Sequence, residues 1–213
     1  MLGFLINDSK PLNILCLGAH CDDIEIGAGG TLLKMFENFK INAVKWVVFA
    51  SNEIRKQEAT NSAERFLHNV KSKDIVIKAY RDGFLPFLAI EVKETFEAIK
   101  KEFQPDIIFT HYRDDRHQDH RLVSDLTWNT WRNHTILEYE IPKYDGDLGA
   151  PNLFVPLDEN YINRRNGIII DAFASQRDKH WFDDATFKAL PRLRGMESAS
   201  LFAEAFYARK IVI

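Results

Sequence analysis

Apolar residues recur along this chain with two periods, and the periods alternate. Short runs rich in Val, Ile, Leu and Phe occupy 13–19, 43–50, 74–80 and 106–111, as expected of strands covered on both faces. Helical spacing fills the gaps at about 27–39, 54–69 and 89–103. In the third gap Ile90, Val92, Phe96, Ile99 and Phe103 approximate one helical face. This β-α-β-α order predicts an α/β fold with a mostly parallel sheet and right-handed crossovers. Beyond it a helix is expected from near Gln118 to about Trp131, with strands at 135–141 and 153–157. A helix near 184–193 and a last strand near 205–212 complete the pattern. The stretch 159–175 reads two ways. Gly167-Ile168-Ile169-Ile170 looks like the start of a strand, but Tyr161, Ile162, Ile168, Ile169, Ala172 and Phe173 fit a helix, which is favoured.

Composition narrows the class. The 213 residues suffice for one domain with a substantial core. The 28 Lys+Arg nearly balance the 31 Asp+Glu, and no strongly basic stretch suggests a nucleic-acid partner. No apolar run is long enough to cross a bilayer. The opening Met1-Leu2-Gly3-Phe4-Leu5-Ile6 lacks a basic flank and a cleavage pattern, so a docked terminal segment is expected, not a signal peptide. Cys16 and Cys21 are too few and too close for a disulfide framework, and a reducing cytoplasm is the default location. There is no internal repeat or low-complexity linker.

The chemistry concentrates in two places. His20-Cys21-Asp22-Asp23 follows the first strand run, and His117-Gln118-Asp119-His120 follows the fourth. Strand ends delivering His and Asp to one rim are how an open α/β sheet assembles a site. Two imidazoles and one carboxylate form a common catalytic zinc set that leaves a position for water. Adjacent Asp22 and Asp23 diverge at a tight turn, so one can bind metal while the other faces the water on it. His117 and His120 are three apart and face the same side if that segment is helical. One can then ligate, while the other stands off, protonated, to stabilise or protonate a tetrahedral intermediate. Asp119 between them can orient an imidazole and favour its charged form. The glycines of Gly27-Ala28-Gly29-Gly30-Thr31 let a helix start pack closely under the strand end. A phosphate-binding turn is disfavoured, because the spacing is not Gly-x-Gly-x-x-Gly and no Lys-Ser/Thr follows. His111 closes the fourth strand and either lines the pocket or is a satisfied rim histidine. Trp128 and Trp131 read as core or interface, not a sugar platform. Cys21 reads as a small spacer, and His68, His134 and His180 receive no role.

These residues resemble the PIG-L/LmbE-like family of zinc-dependent de-N-acetylases. The resemblance rests on Ala19-His20-Cys21-Asp22-Asp23 before a Gly-rich segment and on Asp115-Arg116-His117-Gln118-Asp119-His120. Arg55-Lys56-Gln57-Glu58, Arg81-Asp82-Gly83-Phe84-Leu85, Ser175-Gln176, Arg194-Gly195-Met196 and Ala203-Glu204-Ala205-Phe206 extend it along nearly the whole chain. It implies His20, Asp23 and His120 as zinc ligands, with another divalent metal such as Fe2+ as the alternative. It implies Asp22 as general base and His117 as general acid or oxyanion stabiliser, with Asp119 its orienting partner. Arg55 would contact substrate, and His111 is the further substrate-side candidate. Cys21 stands where the family often has Pro. Ile24 stands where it often has Glu, with Glu25 one place on. The expected scaffold is a single Rossmann-like three-layer sandwich over residues 1–213. The expected activity is removal of acetyl from an N-acetylated amino sugar or its conjugate, a small-molecule partner, with no nucleic acid or membrane insertion and a homo-oligomer left open. Two rivals stand beside it. A non-haem iron oxygenase uses the same triad, but more naturally on a jelly roll. A non-catalytic sugar or nucleotide binder would not need Asp22 and His117.

Overall fold

A computed structural model describes residues 10–211. The expected docked segment at Met1–Ile6 lies outside them. Seven strands form one sheet: β1 (Leu12–Gly18), β2 (Ile41–Ala50), β3 (Lys73–Tyr80), β4 (Ile107–His111), β5 (Thr135–Tyr139), β6 (Leu153–Leu157) and β7 (Phe202–Tyr207). Six α-helices connect them: α1 (Asp23–Asn38), α2 (Glu53–Phe66), α3 (Ala89–Glu102), α4 (Gln118–Thr130), α5 (Glu159–Ala172) and α6 (Asp184–Glu197). The strand order is β3-β2-β1-β4-β5-β7-β6. The first five strands pair in parallel, while β7 runs antiparallel to both β5 and β6. Pro156 removes a ladder donor, which β6 tolerates as the edge strand.

Alternation along β1 separates two cores. Ile14 and Cys16 pack with α1, α2 and α5, whereas Leu15 and Leu17 pack with α3 and α4. Helices on both faces of a mostly parallel sheet make the three-layer sandwich expected of the pattern. The ambiguous stretch is helix α5, whose Ile162, Ile169 and Ala172 are buried. Trp131 is buried in the second core and Trp128 packs against it. Among the described residues no helix is long and apolar enough to cross a membrane.

Two boundaries differ from the pattern. The last strand ends at Tyr207 and starts at Phe202. More consequentially, α1 begins at Asp23, so the Gly-rich segment lies within the helix and not at its start. The reason is packing. A Cβ on Gly27 would sit 2.3 Å from the Tyr139 ring, so only glycine lets α1 approach β5 this closely. Further along α1, the backbone N–H groups of Gly30 and Thr31 donate to the Glu204 carboxylate at 2.8 and 2.6 Å. Arg165 of α5 pairs with the same carboxylate at 3.0 Å, and both side chains are almost fully enclosed. This unit joins α1, α5 and β7 beneath the site. Removing one member leaves a buried charge uncompensated. Glu204→Gln should therefore destabilise the protein by about 3–5 kcal/mol, read from urea unfolding. A loss under about 1 kcal/mol, the scale of a surface ion pair, would contradict that reading.

Candidate active site

Strand order reverses between β1 and β4, which is where an open α/β sheet leaves a crevice at its carboxyl edge. His20, Asp22 and Asp23 follow β1, and His117 to His120 precede and open α4 after β4. Asp23 is fixed locally, because its Oδ2 accepts the His20 backbone N–H at 2.6 Å. His117 is the N-cap of α4, with an extended backbone at φ −73° and ψ 124°. The two histidines therefore do not share a helical face as the spacing suggested. Their rings still converge, with centroids 4.6 Å apart.

Three donors meet at one point. His20 Nδ1 lies 3.1 Å from His120 Nε2 and 3.4 Å from Asp23 Oδ2. Asp23 Oδ1 lies 3.5 Å from His120 Nε2. A tetrahedral ion with ligands at about 2.0–2.1 Å places its donors about 3.3 Å apart, so this triangle fits zinc. The outer partners agree. Asp115 Oδ2 accepts from His120 Nδ1 at 2.9 Å, which turns the Nε2 lone pair inward. On the far side of His20, Nε2 faces Asp119 Oδ2 at 3.2 Å and Asp82 Oδ1 at 3.1 Å. That arrangement turns the His20 Nδ1 lone pair inward as well. Two lone pairs and a carboxylate then face one another, which calls for a cation between them. Without one, a proton fills the need. Burial opposes charge on His20, but Asp23, Asp119 and Asp82 outweigh it and raise its pKa well above the usual imidazole range.

Asp119 differs from the expectation. Its carboxylate is fully buried and accepts from Gly83 N and Leu85 N at 2.8 and 3.2 Å. It faces His20, with its Oδ2 3.2 Å from Nε2, and not the His117 ring. Among the described residues, the hydrogen bond to the His117 ring comes from the Asp119 backbone N–H, at Nδ1 and 3.2 Å. Nor is His117 held charged. Burial, then the neighbouring His120 and His20, push its pKa below the ordinary histidine value despite Asp119. The neutral ring then carries its proton on Nε2.

His111 is fully buried, so the substrate contact expected for it has no surface to use. Its Nε2 lies 2.9 Å from the Ala19 backbone N and 3.1 Å from Asp23 Oδ2, and its ring packs on His120. Cys21 is equally enclosed, and burial pushes its thiol up to about 12, against a reactive role. Asp22 reaches the cleft. Its Oδ1 lies 3.0 Å from Arg55 Nη2. Arg55 in turn pairs with Glu58 at 3.5 Å, and Glu58 accepts from both the backbone N–H and hydroxyl of Ser175 at 2.7 Å. The Arg-x-x-Glu and Ser-Gln motifs thus form one clamp beside Asp22.

The crevice encloses about 820 Å3, within the range of about 300–1,000 Å3 for small-molecule sites. Its floor is His20, Asp22, Asp23, His117 and His120. Its walls add Arg55, Asp82, Lys143, Tyr144, His180 and Trp181, several from the irregular segments after β5 and α5. Sequence reasoning assigned no role to Asp82, Asp115, Glu58, Lys143 or His180. Asp115 and Asp82 stood inside quoted motifs, and those motifs were the available signal. Lys143 and His180 carried none.

Among solved structures, an N,N'-diacetylchitobiose deacetylase from Pyrococcus horikoshii in complex with an inhibitor is similar at TM-score 0.73 and 21% identity, over 93% of this chain and 84% of that one. The zinc-inhibited form of teicoplanin deacetylase is similar at 0.71 and 14%, over 92% and 97%. A 4-carboxy-2-hydroxymuconate hydratase from Pseudomonas putida KT2440 is similar at 0.70 and 14%, over 95% and 98%. At such identities the likeness is one of fold, and the hydratase shows that this fold also carries other chemistry. The family assignment comes from the sequence itself. The model of the PIG-L family, GlcNAc-PI de-N-acetylase, matches residues 15–131, which span both His/Asp clusters and more than half of the 213 residues, and the chain belongs to that family.

Proposed function

We propose that the protein is a zinc-dependent hydrolase that removes acetyl from the nitrogen of an amino sugar or its conjugate. The observation that carries this reading is the His20–Asp23–His120 triangle, with Asp22 beside it at the base of an open cleft. Membership of the PIG-L family supports it. Zinc, when bound, supplies a Lewis acid for the acetyl carbonyl and a water that ionises near neutral pH.

The chain's own residues supply the rest. Arg55 occupies Oδ1 of Asp22 and leaves Oδ2 to accept a proton from the attacking water. His117 donates from Nε2 to the oxygen that gains charge as the carbonyl becomes tetrahedral. The proton taken up by Asp22 is the one the departing nitrogen requires. Water's second proton leaves with the acetyl carboxyl, so water plus amide become free amine plus acetic acid, which then ionises to acetate. Arg55 and Asp82 line the cleft within reach of a sugar's polar groups. The oxygenase rival lacks its scaffold, since the sheet is mostly parallel and covered by helices, not a double-sheet jelly roll. Acetate release from N-acetylglucosamine and N,N'-diacetylchitobiose, with and without a chelator, tests the proposal. No release from any N-acetylated sugar by zinc-loaded protein would overturn it.

The lowered His117 pKa has a consequence for pH dependence. Its neutral form predominates at and above neutral pH, and a neutral Nε2–H needs no further proton to serve an oxyanion. The kcat/KM profile should stay level from neutral into mildly alkaline pH. His117→Ala should lower that plateau by about a hundredfold or more, the scale of one oxyanion donor, without moving its edges. His117→Gln, which keeps a donor, should recover part of the loss. A basic limb that disappears in His117→Ala would show instead that the charged form acts.

A further inference from the structure

Lys143 lies in the irregular segment between β5 and β6, yet it reaches Asp115 in the loop just before α4, whose first turn carries His120. Its Nζ is 2.9 Å from Asp115 Oδ2, and the two side chains are 13% and 2% exposed. The same oxygen accepts from His120 Nδ1 at 2.9 Å. The other oxygen of Asp115 accepts the His117 backbone N–H at 2.8 Å. One carboxylate is thus shared by an ammonium, a ligand imidazole and a backbone amide.

A carboxylate behind a ligating histidine draws on its N–H and makes the opposite nitrogen a stronger donor to the metal. An ammonium on the same oxygen works against that. It neutralises the carboxylate and places positive charge close to a dication. Lys143 is not needed to hold Asp115 in place, because His120 and the His117 amide already fix both oxygens. Asp147 holds Lys143 from the other side and also accepts the Arg116 backbone N–H. The ammonium is therefore fixed against the carboxylate and not free to wander in the cleft.

We propose that Lys143 is a positioning residue that weakens the grip of His120 on the metal through Asp115, exchanging metal affinity for a more acidic centre. The proposal rests on the zinc reading above. Its test is zinc affinity, measured on the full chain by competition with a chromophoric chelator, so no substrate is required. Lys143→Met, of similar length and without charge, should bind zinc about tenfold more tightly than the wild type, toward the lower end of outer-partner effects. Lys143→Arg should stay within a few fold of wild type. Asp115→Asn should bind about 10–100-fold more weakly. In the Asp115→Asn background, Lys143→Met should give no further gain, because the route through the carboxylate is gone.

Each alternative has a separate meaning. Unchanged or weaker zinc binding in folded Lys143→Met overturns the proposal. An equal gain with and without Asp115 also overturns it, since the charge would then act directly on the metal. If Lys143→Met does not fold, Lys143→Gln is read by the same criteria. A wild-type protein that binds no zinc overturns the zinc reading itself, and the proposal falls with it.

Discussion

Asp22→Asn is expected to keep its zinc and lose at least about a hundredfold in turnover, the usual scale of a general-base contribution. The change preserves shape and removes only the ability to accept a proton. Asp22 is not part of the triangle formed by His20, Asp23 and His120, so metal should stay. Arg55 now faces a neutral amide in place of its 3.0 Å ion pair, with Glu58 still holding it from the other side. The KM should therefore move less than kcat. Near-normal turnover with zinc bound would take the base role away from Asp22. Glu25, one turn along α1, is no ready substitute, since it is fully buried and burial raises its pKa to about 8.

His120→Ala should lose bound zinc while keeping most of the fold. In the proposed set the residue is one of three protein donors, and it sits in the first turn of α4, where the helix's buried Val123 and Thr127 remain to hold it. The variant also leaves Asp115 without one of its partners, but Lys143 and the His117 amide still neutralise that carboxylate. Metal analysis after dialysis should give zinc far below one per chain. Full stoichiometric zinc in the variant would remove His120 from the ligand set, and His117, with its ring 4.6 Å away, would be the candidate to replace it.

The fold was legible where burial imposes a period. β1, β2 and β4 and the helices between them appear as alternating runs because those strands are covered on both faces, while the edge strand β3 is only half-buried. Gly27 to Thr31 were legible as the close-packed start of a helix, but the true start at Asp23 was not. They are helical because Tyr139 and Glu204, more than a hundred residues away, need the close approach and the two N–H groups. The site divides in the same way. His20, Asp22, Asp23 and His120 are singled out through the family resemblance their motifs carry, and the structure brings all four to one crevice. The roles of Asp115 and Asp119 could not be apportioned, because which carboxylate backs which imidazole depends on how β1 and β4 lie side by side. Asp119 turns out to serve His20 across the crevice, and Asp115 serves His120 within its own loop. Lys143, Tyr144 and His180 come from segments without periodicity and meet the cleft only through tertiary placement.

The most direct measurement of the central claim is a crystal structure of zinc-loaded protein with anomalous scattering recorded at the zinc edge. One peak is expected, held by His20 Nδ1, His120 Nε2 and the Asp23 carboxylate, with a water on the open side within hydrogen-bond reach of Asp22. Zinc held without His20 or His120, or a metal water out of reach of Asp22, would contradict it.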